Sequence, residues 1–233
     1  MKNDKNIYLI IFLTLTQFLY NPYPNPSKAE TEKKQVTKEK EITINKEQTI
    51  KNENISTGSD TTKKDTVVIQ TEKGIIKIKL FTKETPITTG NFIDLIQKGF
   101  YNGTVFHRVV ENFVIQGGDP LGDGTGNYID PDSGEPRFIK LETNPNLKFD
   151  RPGRVGMART SNPNSASCQF FIALQALPSL NPGGVDPYGY AVFGQVTDDT
   201  FETAKKIVKD SKPAFPGSDR PANPVKMHLL TLE

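Results

Sequence analysis

The segment formed by residues 105–119 constrains the fold of this chain more than any other part of the sequence. Two runs of apolar and β-branched residues flank the polar pair Glu111-Asn112, which predicts two strands joined by a tight turn. Arg108 and Gln116 interrupt these runs at positions otherwise suited to burial. A guanidinium within an apolar surface is costly unless it has a partner or a task. Arg108 therefore either points to water from an edge hairpin or serves a function.

The content of cysteine and histidine excludes two kinds of site. Cys168 is the single cysteine, and the histidines are His107 and His228. These residues can form neither an internal disulfide nor a Cys/His zinc site, and we predict no metal and no cofactor. His107 has the opposite strand parity to Arg108 and is predicted to pack inward, and Cys168 is predicted to be a small buried residue rather than a redox centre. The net charge of +2 indicates neither nucleic acid nor an anionic membrane as a partner.

The first 29 residues have the features of an export signal. Lys2 and Lys5 precede an apolar core at 7–19, and the sequence Ser-Lys-Ala ending at Ala29 is a small-x-small cleavage site. An uncleaved membrane anchor is the alternative, although this apolar core is short for a transmembrane helix. We therefore expect a protein exported to the periplasm or another extracytoplasmic space, with membrane contact only through an N-terminal segment that stays attached.

Composition divides the rest of the chain into two parts. Residues 30–64 carry many charges of both signs and no aromatic residue, so they cannot bury enough apolar area to offset the entropy lost on ordering. From Asp65 onward, apolar runs alternate with turn residues in a way that is typical of a folded domain. We predict a signal peptide or anchor at 1–29, a flexible charged linker at 30–64 and a folded domain at 65–233.

Short strands dominate the folded part. Besides the 105–119 hairpin, the predicted strands are 67–71, 75–80, 153–160, 169–174, 190–194 and 225–232. The predicted helices are 86–98 and 199–209. Many short strands with only two helices favour a mainly β fold, a closed β-barrel, over a parallel α/β sheet.

Six sequence motifs occur in the order and spacing of the cyclophilins, a family of peptidyl-prolyl cis-trans isomerases. They are FHRV at 106–109, FVIQGGD at 113–119, GTG at 124–126, MA at 157–158, QFFI at 169–172 and VFG at 192–194. The loop at 159–167 resembles that of the bacterial branch. The resemblance covers residues 65–233 and implies a closed, eight-stranded antiparallel β-barrel, with a helix capping each end and an active site on its outer face.

The resemblance assigns functions to nine residues. It implies two catalytic residues, Arg108 and Gln116. It implies seven substrate-binding residues, namely Phe113, Val114, Ala158, Arg159, Phe171, Leu180 and Tyr190. The apolar walls of the implied proline pocket are Phe113, Val114, Phe171 and Leu180. Taken alone, without the resemblance, Phe113 and Phe171 would be interpreted as ordinary core residues.

Four positions depart from the commonest pattern of the family. Val114 replaces a longer Met, Arg159 replaces an Asn, Tyr190 replaces a His, and Ser179 stands where the family often has Trp. Because that Trp contacts cyclosporin in sensitive members, the resemblance implies weak binding of the drug. Arg159 and Tyr190 belong either to the pocket or only to its rim. The loop at 182–189 is also longer than usual and is expected to reshape one side of the pocket.

The position of Phe113 decides how the hairpin is built. Side chains alternate between the two faces of a strand, so Phe113 and Gln116 would lie on opposite faces. If both line one pocket with Arg108, Phe113 belongs to the turn or a bulge intervenes. We therefore predict a turn at 110–113 whose tip directs the phenyl ring toward Arg108.

The resemblance implies an enzyme that rotates Xaa-Pro bonds in proline-containing polypeptides, assists the folding of exported proteins and acts as a monomer without nucleic acid. One alternative is a non-catalytic module that binds proline-containing segments as a chaperone or assembly factor. Another is a structural envelope protein docked by its N-terminal tether, which the polar composition of 30–64 argues against. Arg108 favours the enzyme, because a module that only binds does not need this charge among apolar side chains.

Overall fold

A computed structural model describes residues 65–233. The predicted signal segment at 1–29 and the predicted linker at 30–64 lie outside the described residues, so both stay predictions. Neither helix between residues 65 and 233 is long and apolar enough to cross a membrane.

The eight predicted strands and the two predicted helices are all present. The strands are β1 (Thr66–Thr71), β2 (Gly74–Leu80), β3 (Arg108–Val110), β4 (Val114–Gly117), β5 (Arg154–Met157), β6 (Phe170–Ala173), β7 (Val192–Val196) and β8 (Met227–Leu232). The helices are α1 (Pro86–Gln97) and α2 (Phe201–Asp210), and a single 3₁₀ turn covers Pro178–Leu180. The mainly β fold predicted from the sequence is therefore confirmed.

The strands form one antiparallel sheet in the order β3-β4-β6-β5-β7-β2-β1-β8. The prediction of a closed barrel is wrong: within residues 65–233 the edge strands β3 and β8 do not pair, and the sheet is an open half-barrel. The segment before β3 meets β8 only locally, through a hydrogen bond from Gly103 N to Met227 O of 2.7 Å and an isolated bridge between Val105 and Lys226. The ladder does not continue because the amide of Val109 donates instead to the carbonyl of Asp219, at 2.8 Å.

The first hairpin shows why the sheet has one apolar inner face. In β2, Ile76, Ile78 and Leu80 are buried, whereas the alternate residue Lys79 is exposed. This period of two is the pattern expected for a strand with one face in the core.

The main core joins the inner face of the sheet to the two helices. Phe92 of α1 makes edge or tilted ring contacts with Tyr101, Phe170 and Phe193, with centroid distances of 5.1–5.2 Å. Ile207 of α2 belongs to the same buried cluster. Aromatic pairs of this geometry add to the stability gained from apolar burial.

His107 and Cys168 both pack inward, as predicted. His107 is 4% exposed, and desolvation by burial lowers the pKa of its imidazole. Cys168 is fully buried, and burial raises the pKa of its thiol to about 12. A thiol with such a pKa is almost entirely protonated at neutral pH and is a poor nucleophile.

A second apolar cluster lies on the opposite face of β4 and β6. Ile115 and Phe170 point into the main core, whereas their neighbours Val114 and Phe171 belong to the second cluster. Phe149 is a fully buried member of that cluster. The alternation of these two strands therefore builds apolar material on the outer face of the half-barrel, beside the hairpin that carries Arg108.

Candidate active site

A pocket on this outer face brings together all nine residues to which the sequence analysis assigned a function. It has a volume of about 280 Å³. It is lined by Arg108, Phe113, Val114, Gln116, Ala158, Arg159, Phe171, Leu180 and Tyr190. Their proximity agrees with the predicted site, whereas the role of each residue stays a prediction.

The turn between β3 and β4 places Phe113 beside Arg108. Phe113 N donates to Val110 O at 3.1 Å, and Asn112 takes a left-handed conformation with φ of 57°. Phe113 thus precedes the first residue of β4, which confirms the predicted turn at 110–113. The guanidinium carbon of Arg108 lies 5.7 Å from the centre of the Phe113 ring. A cation at this distance from a ring face is attracted by the aromatic quadrupole.

Strand register places Gln116 directly opposite Arg108. The two residues are paired across β3 and β4, so their side chains share one face of the sheet. Gln116 Nε2 donates to Gln169 Oε1 at 2.9 Å, and Gln169 Nε2 donates to the carbonyls of Gly124 and Gly126 at 3.0 and 2.9 Å. This chain of amides fixes the orientation of Gln116. In the sequence, Gln169 stands out only as the first residue of the QFFI motif, so this supporting role was not predicted.

Asp219 contacts the side chain of Arg108 and was also missed. Arg108 Nε and Nη2 both approach Asp219 Oδ2, at 3.0 and 2.9 Å. The two residues are 111 positions apart in the chain, and Asp219 lies in the loop before β8. No local sequence pattern signals a contact of this range.

The ring of Phe171 forms the back wall of the pocket, and the buried ring of Phe149 supports it from behind. Phe171 stacks on Phe149 with a centroid distance of 5.4 Å and an interplanar angle of 21°, and its edge meets Tyr190 at 5.8 Å. Phe171 is thus a pocket wall rather than a residue of the main core. Gly156 makes room for this arrangement, since a Cβ there would lie 2.4 Å from Phe171 Cζ.

The side chain of Arg159 is committed to the long loop rather than to the open pocket. The side chain is 1% exposed, and its guanidinium donates to Asp186 Oδ1 at 2.6 Å and to the Gly189 carbonyl at 3.1 Å. The guanidinium carbon also lies 4.6 Å from the centre of the Tyr190 ring. Hydrogen bonding to Arg159 lowers the pKa of Asp186. Three departures from the family pattern, at 159, 190 and 182–189, therefore form one connected side of the pocket.

Removing the Asp186 carboxylate tests the contribution of this side of the pocket. In Asp186→Ala we expect KM for a proline-containing peptide to rise by about three- to tenfold with little change in kcat. The reason is that the Arg159 guanidinium, which contacts the Tyr190 ring, is held less firmly without the Asp186 carboxylate. Steady-state kinetics on the full chain measure KM and kcat separately. The control is Asp132→Ala, which removes an exposed carboxylate of another loop. An unchanged KM in Asp186→Ala would show that the loop does not shape the pocket.

The fold and site define a half-barrel protein with an external pocket that combines apolar walls with two arginines, Arg108 and Arg159. The family model described as "Cyclophilin type peptidyl-prolyl cis-trans isomerase/CLD" matches residues 66–231. The chain belongs to this family.

Individual relatives and solved structures that resemble the chain are also peptidyl-prolyl isomerases. The chain is 41% identical over 162 residues to peptidylprolyl isomerase cyp7 of Schizosaccharomyces pombe, covering 70% of this chain and 32% of that protein. It is 35% identical to peptidyl-prolyl cis-trans isomerase A of Mycobacterium tuberculosis, covering 72% of this chain and 91% of that protein.

A solved cyclophilin type isomerase of Cryptosporidium parvum, crystallised in the presence of the dipeptide Ala-Pro, superimposes with a TM-score of 0.63. The identity is 32%, and the match covers 72% of this chain and 98% of that one. The chain thus spans nearly all of some relatives and about a third of others.

Proposed function

We propose that this protein catalyses cis-trans isomerisation of Xaa-Pro bonds in polypeptides. The observation that carries the proposal is the position of the Arg108 guanidinium, 5.7 Å from the Phe113 ring at the edge of an apolar pocket of about 280 Å³. Membership of the family and the similarity to the mycobacterial isomerase support it.

The reaction explains why the site combines apolar walls with an accessible, permanently charged side chain, that of Arg108. Rotation about a peptide bond breaks amide resonance, against a barrier of about 18–20 kcal/mol. The prolyl nitrogen regains its lone pair in the twisted transition state and becomes a hydrogen-bond acceptor. No covalent bond is made or broken, so the reaction itself requires neither a nucleophile nor an electron carrier.

Each part of the site then has a task. Phe113 and Phe171 hold the proline ring, and Gln116 holds the chain beside it, so that rotation is confined to one bond. Arg108 donates from its guanidinium to the prolyl nitrogen as the lone pair forms there. A guanidinium group is a permanent donor with no acceptor atoms, so it suits this task.

Refolding of a substrate protein distinguishes this enzyme from a module that only binds proline-containing segments. We expect substoichiometric amounts of the full chain to accelerate a refolding phase limited by prolyl isomerisation, which takes tens to hundreds of seconds uncatalysed. A binding module, in contrast, would require stoichiometric amounts and would slow the phase. That second result would overturn the proposed catalysis.

We propose further that the protein belongs to an exported bacterial branch and assists the folding of other exported proteins. The signal pattern at 1–29 and the bacterial resemblance of the loop at 159–167 support this. Mass spectrometry of the mature N-terminus from cells tests the export step. A start at Glu30 is expected, whereas a start at Met1 or Lys2 would rule out cleavage after Ala29.

A further inference from the structure

The contact between Arg108 and Asp219 involves both backbone and side chain. The carbonyl of Asp219 accepts a 2.8 Å hydrogen bond from Val109 N, on the strand that carries Arg108. Its carboxylate oxygen Oδ2 lies 3.0 Å from Arg108 Nε and 2.9 Å from Arg108 Nη2. Asp219 is thus attached to β3 at two points, and one of them is the proposed catalytic guanidinium.

We propose that Asp219 is a positioning residue for the isomerisation. This inference rests on the proposed function, since it assigns Asp219 to the orientation of Arg108. An arginine side chain has many rotamers, and this one is 35% exposed, so water alone would not hold its guanidinium in one direction. The bonds to Asp219 use the edge formed by Nε and Nη2. Among the described residues, this arrangement leaves the Nη1 donors for a substrate in the pocket.

A structural role alone does not account for the carboxylate. Asp219 is 50% exposed, and exposed ion pairs contribute little to stability. The backbone holds the loop independently of this side chain, through hydrogen bonds from Ala214 N to Arg220 O and from Ala222 N to Lys212 O, both 2.8 Å. Removing the carboxylate therefore leaves the loop in place while freeing the guanidinium.

Kinetics of two variants of the full chain test the proposal. We expect Asp219→Ala to lower kcat by about tenfold with KM within about twofold of wild type, because ground-state binding depends on the apolar walls. We expect Asp219→Asn, which keeps an oxygen acceptor, to lose only about threefold. Tm is expected to be unchanged in both. The matched control is Asp210→Ala, which removes a similarly exposed ion pair between Asp210 and Lys73, 2.8 Å long and outside the pocket.

A double-mutant cycle separates positioning from other effects. In an Arg108→Ala background, Asp219→Ala is expected to cause no further loss of kcat. An NMR signal from the Arg108 Nε–H gives a second reading, since it is expected to shift and to exchange faster with water in Asp219→Ala.

The outcomes are distinguishable. Wild-type activity with an unchanged kcat in Asp219→Ala would overturn the positioning role while leaving the proposed function intact. The positioning role would also be overturned if Asp219→Ala lowered kcat by the same factor in the Arg108→Ala background as in the wild type, because Asp219 would then act independently of Arg108. An inactive wild-type chain would instead overturn the proposed function, and with it this inference. If Asp219→Ala does not fold, the value of kcat in Asp219→Asn tests the positioning role instead: a loss of about threefold supports it, and an unchanged kcat overturns it.

Discussion

We expect Arg108→Ala to lower kcat/KM for a short Xaa-Pro peptide by about 10²–10³-fold, the effect of removing one preorganised donor from a transition state. The loss should fall mainly on kcat, since the lone pair on the prolyl nitrogen develops only as the bond twists. Protein stability should change little, because the side chain is 35% exposed. Steady-state kinetics and thermal unfolding of the full chain measure both effects.

Arg108→Lys separates charge from geometry. Lysine keeps the positive charge but lacks the planar set of donors that reaches Asp219 and a substrate together. We therefore expect most of the activity to be lost in this variant as well. Arg151→Ala serves as the control, since Arg151 forms an exposed ion pair with Asp150 and does not line the pocket. Wild-type rates in both Arg108 variants would show that the arginine has no part in the reaction.

The second large effect is expected from Gly156→Ala. An added Cβ would lie 2.4 Å from Phe171 Cζ and 2.7 Å from Phe149 Cζ, closer than real Cβ contacts allow. Because Phe149 is fully buried, the ring of Phe171 has to move toward the pocket. We expect a loss of about 1–3 kcal/mol in the free energy of unfolding and a rise in KM of more than about tenfold. Chemical denaturation and kinetics measure the two effects.

Two further variants test whether the contact between the added Cβ and Phe171 causes the effects of Gly156→Ala. Gly90 has no neighbouring atom within 4 Å of its added Cβ and lies inside α1, so Gly90→Ala is expected to stabilise the protein by about 0.5–1 kcal/mol. Combining Gly156→Ala with Phe171→Leu is expected to recover stability without restoring KM, since the smaller side chain relieves the contact but removes the wall. Normal stability and KM in Gly156→Ala alone would contradict this account of the pocket.

The parts of the site that lie close together in sequence were the most predictable. Strand parity shows that Phe113 and Gln116 cannot share a face unless Phe113 belongs to the turn or a bulge intervenes. The 3.1 Å bond from Phe113 N to Val110 O confirms the turn. The resemblance to the cyclophilins implied that the remaining pocket residues form one group, and the structure brings them together.

Long-range contacts of loops were not predictable. Barrel closure was expected from the number of strands, but the amide of Val109 is bound by Asp219 from the loop before β8. The same loop supplies the ion pair to Arg108. Likewise, Arg159 was assigned to substrate binding, and nothing in its sequence neighbours indicates that its guanidinium is bound by Asp186, 27 positions away. Such contacts depend on the path of loops, which carry no periodic signal.

Exchange NMR on a short Ala-Pro peptide is the most direct test of isomerase activity, since it observes both isomers and needs no coupled reaction. With a substoichiometric amount of the full chain, we expect the cis and trans signals to exchange much faster than the uncatalysed tens to hundreds of seconds, with an unchanged isomer ratio. Arg108→Ala is predicted to abolish nearly all of this acceleration. Peptide signals that shift on binding while exchange stays at the uncatalysed rate would contradict it, and would identify a module that binds proline without isomerising it.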